Sequence, residues 1–112
     1  MSHSMRIDVV GKHLDITDAI RSFAEQKAAK LVKHFDDGVQ LITVRLEQLA
    51  HHKGFHAEVT VDVIKHDDFV ANGTAADLYA AIDEAVDKAA RQLTDFKEQL
   101  KQGKRGRTPA GG

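Results

Sequence analysis

Leu78, Ile82, Val86, Ala89, Leu93, Phe96 and Leu100 step by four, four, three, four, three and four residues. That spacing keeps all seven side chains on one face of an α-helix. It predicts a helix over about 74–101, roughly 40 Å long at 1.5 Å per residue. A helix of that length with one apolar face must lay the face on something. The chain has 112 residues, room for one modest core, so the remaining segments have to supply the cover.

They read as strands and one further helix. In residues 39–49, Ile42, Val44 and Leu46 share one face and Thr43, Arg45 and Glu47 the other, the period of a half-buried strand. Residues 55–66 alternate in the same way, with Phe55, Ala57, Val59, Val61 and Val63 against His56, Glu58, Thr60 and Asp62. The turn His51-His52-Lys53-Gly54 between them makes an antiparallel hairpin. His66-Asp67-Asp68 is a second turn, and Phe69–Asn72 a third, shorter strand of the meander. Met5–Gly11 is a first strand, with Ile7 and Val9 on one face. Thr17 is a good N-cap for a helix over about 17–34, with Asp18 in its first turn. Ile20, Phe23, Ala24, Leu31 and Phe35 recur at helical spacing, and Asp36-Asp37-Gly38 is the stop signal.

The order β-α-β-β-β-α predicts a two-layer α+β domain, two helices packed on one face of a four-stranded mixed or antiparallel sheet. The core is then the two helical stripes against the sheet face bearing Ile42, Val44, Leu46, Val59, Val61 and Val63. Residues 5–102 form the expected domain. Residues 1–4 read as an added remnant or frayed terminus. Gly103 is expected to end the second helix, and 103–112 to be a flexible basic tail.

Several kinds of chemistry have no support in these residues. There is no cysteine, hence no disulfide framework, thiolate zinc site or cysteine nucleophile, and a cytoplasmic setting is the natural expectation. No apolar run reaches the roughly 20 residues of a membrane span, and the first residues lack a signal-peptide pattern. Ser2, Ser4 and Ser22 sit in no nucleophile elbow. Gly11-Lys12 and Gly103-Lys104 lack the rest of a phosphate loop. His51, His52 and His56 cluster at the hairpin with His66 at its far end, but the spacing fits no metal motif and reads as solvated turns. No cofactor, metal or small-molecule substrate is expected, and the chain is not expected to be an enzyme.

The formal net charge is −1, yet it is unevenly spread. Residues 21–33 hold Arg21, Lys27, Lys30 and Lys33 against Glu25. Residues 34–87 hold three basic and eleven acidic side chains, and residues 88–112 seven basic and two acidic. Two basic blocks thus flank an acidic middle, and neighbouring helices would bring the blocks together. Lys27 falls on the apolar side of its helix, where its stem can lie over the core. Lys88 with Arg91, and Lys97 with Lys101, extend the second block. Ridges of cations suit a phosphate backbone. The low aromatic content, 5% with one tyrosine and no tryptophan, argues against base stacking on single strands and favours recognition of structured RNA or DNA by shape and phosphate.

At these residues the chain resembles a known family. Gly11-x-x-Leu14-Asp15-Ile16-Thr17-x-Ala19-Ile20-Arg21 with Lys27-x-x-Lys30-Leu31-x-Lys33-x-Phe35 is similar to the first half of the ribosome hibernation-promoting factors. Asp77-Leu78-Tyr79-Ala80-Ala81-Ile82-Asp83 with Asp87-Lys88-x-x-Arg91-Gln92-Leu93 resembles the second half. The family includes ribosome-associated inhibitor A and also carries the sigma-54 modulation label. The resemblance implies a fold related to double-stranded-RNA-binding domains. It implies a cytoplasmic protein on the 30S subunit, in the channel between head and body, covering the mRNA path and the A- and P-site tRNA positions and silencing translation in stress or stationary phase. It assigns rRNA binding to Arg21, Lys27, Lys30, Lys33, Lys88 and Arg91, with Lys97 and Lys101 continuing that face. Asp95 and Glu98 interrupt the distal basic run. The length resembles the short form, and the basic end, Lys104, Arg105 and Arg107, resembles the promoting rather than the inhibitor type. A separate ribosome modulation factor is the further partner this implies. Two other readings stay open: a regulatory module that binds a transcription factor through the acidic sheet, and a metal-dependent enzyme using the hairpin histidines.

Overall fold

A computed structural model describes the backbone of residues 6–34 and 38–104, and the side chains of 6–32 and 38–99. The expectations about residues 1–4, Phe35, the Asp36-Asp37 stop and the tail beyond Lys104 lie outside the described residues. The elements are β1 (Arg6–Lys12), α1 (Asp18–His34), β2 (Val39–Gln48), β3 (Phe55–Val63), β4 (Phe69–Ala75) and α2 (Leu78–Lys104). The strands form one sheet in the order β1-β2-β3-β4. β1 runs parallel to β2, while β2–β3 and β3–β4 are antiparallel, so the sheet is mixed. The parallel pair needs a crossover connection, and α1 is it.

Both helices lie on one face. α1 packs on β1 and β2, α2 on β3 and β4, and the two helices touch. The sheet contributes β-branched and aliphatic side chains: Val9, Ile42, Val44, Leu46, Val59, Val61 and Val63, all buried. Cross-strand partners on this face meet directly, Val44 with Val59 and Ile42 with Val61. The helices contribute Ala24, Ala28 and Leu31 from α1, and Leu78, Ala81, Ile82, Ala85, Val86, Ala89 and Leu93 from α2. The stripe that predicted α2 is therefore the buried one as far as Leu93. Phe96 is half-buried, and the Leu100 side chain lies outside those described.

The helix starts follow capping chemistry. Thr17 Oγ1 accepts a hydrogen bond from the Ile20 backbone N–H at 3.2 Å, as its N-cap reading expects. α2 begins four residues later than about 74, because Asp77 is its cap: Asp77 Oδ2 accepts from the Ala80 N–H at 3.0 Å. Residues 74–75 extend β4 instead, which reaches Ala75 rather than Asn72. β3 ends at Val63 rather than 66, because the chain turns at Ile64–His66 with Lys65 at φ 58°. α2 continues through Gly103 to Lys104, so Gly103 does not end it. The hairpin tip carries three left-handed residues, His51, His52 and Gly54, and is closed by the Leu49 N–H donating to the Gly54 carbonyl at 2.9 Å.

Gly73 sets how near α2 comes. A Cβ there would stand 2.5 Å from the Ala81 carbonyl oxygen and 2.7 Å from the Ala85 nitrogen. Helix backbone thus rests directly on strand backbone, and Ala81 and Ala85, both fully buried, add little bulk at the contact. We expect G73A to destabilise the fold by about 1–3 kcal/mol through overpacking. L93A should cost about 2–5 kcal/mol as a truncated buried leucine. Urea titration checks both; a loss below about 0.5 kcal/mol for L93A, far under the usual cost of such a truncation, would contradict the packing of α2.

Candidate nucleic-acid interface

The two faces of the domain treat charge differently. On the open sheet face, residues of both signs stand in rows across the strands, with Lys12 opposite Glu47 and Arg45 opposite Glu58. They pair there, Lys12 with Glu47 at 4.0 Å and Arg45 with Glu58 at 3.5 Å. Gln40 donates to Asp62 at 3.4 Å, and the His56 ring meets the Asn72 amide oxygen at 2.9 Å. Arg6 closes on Asp8 at 3.1 Å. This face pairs its three cations with carboxylates and leaves Asp62 on a neutral amide, so no cation is left over there among the described residues.

The helix layer leaves cations over. Phe23 meets Tyr79 edge to face at 4.7 Å between centroids, and Lys27 Nζ meets Asp83 Oδ1 at 2.7 Å. Both pairs advance by four residues on each helix, so α1 and α2 run parallel. Both helices therefore start at one end of the sheet and carry their basic C-terminal halves to the other. The parallel course sets the α1 turn with Lys30 beside the α2 turn with Asp87, Lys88 and Arg91. Arg21, Lys30, Arg91 and Lys97 are exposed, and among the described residues none forms an ion pair.

The eight expected binding residues do not form one uniform surface. Lys27 is drawn into the interhelical groove, its ammonium on Asp83 and 5.5 Å from the Phe23 ring centroid. It ties the helices together, as its place on the apolar side implied. Arg21 lies six residues before Lys27, about 120° round the helix, on the flank away from α2. Lys88 faces the β4 side of α2, where it meets Glu84 at 3.1 Å. Arg91 stands on the outer crest, about 60° from Lys88. Lys97 returns to the flank facing α1. The helices carry Lys33 and Lys101, whose side chains lie outside those described.

Sequence reasoning missed the acidic partners. In the sequence, Asp83 and Glu84 read only as part of the acidic middle of the chain. The Glu84–Lys88 contact is legible as an i, i+4 pair; the Lys27–Asp83 contact joins distant segments and leaves no local signal. Glu84 also accepts from the Thr74 N–H at 3.3 Å. The hydrogen bond and charge of Lys88 hold the Glu84 carboxyl below its ordinary value; the Thr74 N–H adds to this, and desolvation opposes it. Among the described residues, no group of three His, Asp or Glu side chains is placed to hold a metal ion, and no helix is long and apolar enough to cross a membrane.

The mixed βαβββα sheet, with the cations of its open face paired and its helix layer rich in unpaired cations, defines a small α+β binding module. Comparison with known proteins says which. The sequence profile described as Sigma 54 modulation protein / S30EA ribosomal protein matches residues 7–101, and the chain belongs to that family, the ribosome hibernation promoting factors. It is a family of non-enzymatic proteins. The ribosome hibernation promoting factor of Escherichia coli K12 is 36% identical over 102 residues, covering 88% of this chain and 99% of the relative. That of Azotobacter vinelandii is 38% identical over 108 residues, covering 95% of each. The crystal structure of the Thermus thermophilus Protein Y N-terminal domain superposes with a TM-score of 0.73 at 38% identity, covering 82% of this chain and 99% of the other. A Coxiella burnetii structure described as a ribosomal subunit interface protein has the same fold, TM-score 0.74 at 21% identity, covering 84% of this chain and 99% of the other.

The lowered Glu84 value fixes the sign of a pH effect. A depressed carboxyl stabilises the fold above its unfolded value, and that contribution is lost as pH falls through the folded value. In urea titrations from neutral pH downward, wild type should exceed E84Q in stability at first. The gap should narrow on the acid side of the ordinary glutamate range. A gap independent of pH would mean the contact with Lys88 is not electrostatic.

Proposed function

We propose that this protein is a cytoplasmic hibernation factor that binds the 30S subunit through its helix layer. It sits in the channel between head and body, occludes mRNA and the A- and P-site tRNA positions, and silences translation in stress or stationary phase. The observation that carries this reading is the division of charge. Lys30, Arg91, Lys97 and Arg21 are exposed without an ion pair among the described residues, while the sheet face holds Arg6, Lys12 and Arg45 in ion pairs. Unpaired cations over two parallel helices are what a phosphate backbone requires. The family to which the chain belongs, and the name of its Escherichia coli and Azotobacter vinelandii relatives, support the ribosome as the target.

The roles then differ among the basic residues. Lys30, Arg91 and Lys97 make phosphate contacts directly, with Arg21 at the flank and Lys33 and Lys101 extending the two helix faces. Lys88 reaches rRNA from its place beside Glu84. Lys27 holds the helices in register, and its charge counts less because Asp83 already meets it. A separate ribosome modulation factor is the further partner, acting on subunits that carry this protein. Inhibition of this kind needs shape and charge and no reaction.

The test is pelleting with purified 30S subunits. K30E with R91E should abolish co-sedimentation while the circular dichroism spectrum stays intact. H51A with H52A should leave it nearly unchanged. For six phosphate contacts the affinity should fall on the order of a thousandfold between about 50 and 200 mM salt. Rising mRNA and initiator tRNA should displace the protein. Full retention on subunits carrying both ligands would place its site elsewhere and rule out occlusion.

A further inference from the structure

Where the sheet meets the basic half of α2, three rings form a cluster apart from the helix-layer cations. His66, in the turn between β3 and β4, lies parallel to Phe69, with ring centroids 4.6 Å apart and planes within 6°. Phe96 of α2 stands 4.4 Å from the His66 centroid at a tilt of 57°, and 5.3 Å from Phe69. These three separations make the angle at His66 acute. With Phe69 stacked on one face of the imidazole, Phe96 lies beside it or at the ring edge and cannot cover the opposite face. That face belongs to an exposed residue.

The imidazole is also fixed in its own plane. Its Nδ1 lies 2.6 Å from the Asp67 carbonyl oxygen. A carbonyl only accepts, so Nδ1 carries the hydrogen. Nε2 is left at the outer edge of the ring. An exposed turn side chain ordinarily keeps its rotamer freedom; this one is held by a stack, a tilted ring and a hydrogen bond. The immediate turn residues, Lys65, Asp67 and Asp68, carry mixed charge, which disfavours a phosphate contact at this spot. A flat π-face with mixed surroundings suits a base better than a backbone.

We infer that the open face of His66 is a stacking platform for one unpaired nucleobase, adding a base contact to the phosphate contacts of the helix layer. The inference rests on the ribosome-binding reading above. Stacking on an aromatic plate accepts any base, because every base offers a π-face, and unstacked bases in loops and bulges are the parts of a folded RNA open to it. Phe69 and Phe96 act as its support, so the base would extend a stack that already begins in the protein.

Purified 30S subunits are the probe. H66A should weaken binding roughly tenfold, the scale of one lost base stack, and leave the salt slope unchanged because no phosphate contact is removed. H66F should restore most of the affinity. The chain has no tryptophan, so H66W provides a single indole; its emission should be quenched when 30S subunits are added. If wild type does not bind the subunits, the functional reading falls and takes this inference with it. If wild type binds and H66A binds equally, the stacking platform alone is overturned. It is also overturned if H66W binds with unquenched or merely blue-shifted emission, which would report burial against ribosomal protein.

Discussion

The approach of α2 to β4 governs the rest of the domain. Strand backbone at Gly73 and helix backbone at Ala81 and Ala85 are close enough that one methyl group would not fit between them. At that distance the larger side chains of α2, Ile82 and Leu93, reach down among Val59, Val61 and their neighbours, and all of these are fully buried. Interiors this tightly filled transmit displacement rather than absorb it. The position of α2 then sets where α1 can lie, since the two meet at Phe23–Tyr79 and Lys27–Asp83. The spacing of the cations on the outer surface is thus fixed from beneath.

Electrostatics works through the same geometry. Parallel helices align their dipoles, so both C-terminal ends, each with partial negative charge, point the same way. Cations in the last turn of each helix are favoured by the fold before any partner is present. Lys30, one turn before the end of α1 at His34, suits that helix end; Arg91 and Lys97 lie well before Lys104 and draw little on the dipole, and all three remain available to an anionic partner. Where an acidic neighbour exists, as for Lys27 and Lys88, the cation does structural work first.

The element order, the buried faces and the two-layer architecture were legible because each rests on periodicity, which is local; that the sheet is mixed rather than antiparallel was not, because the parallel pairing of β1 with β2 is a long-range choice. The stripe from Leu78 to Leu93 and the alternation from Ile42 to Leu46 both map onto the core. Boundaries were less legible. Residues 74–75 look equally suited to strand or helix until Asp77 is recognised as a cap, and the end of β3 depends on Lys65 taking a left-handed conformation that no side-chain pattern announces. At the interface, the basic residues could be named, but not their directions. Whether Lys27 points to solvent or to Asp83 is decided by the separation of two helices, and that separation is set at Gly73. The ring cluster of His66, Phe69 and Phe96 likewise joins a turn, a strand and a helix that the sequence keeps apart.

The hydrogen bonds from α2 to β4 have a consequence for self-association. Gln92 donates to the Val70 carbonyl oxygen at 3.0 Å, and Glu84 takes the Thr74 N–H. Two of the backbone groups that a bare edge strand would offer to another chain are thereby occupied. The opposite edge is β1, which pairs with β2 alone. An added strand would meet α2 side chains already bonded to the backbone at β4 and none among the described residues at β1, so a second chain that paired with this sheet would find the easier seat beside β1.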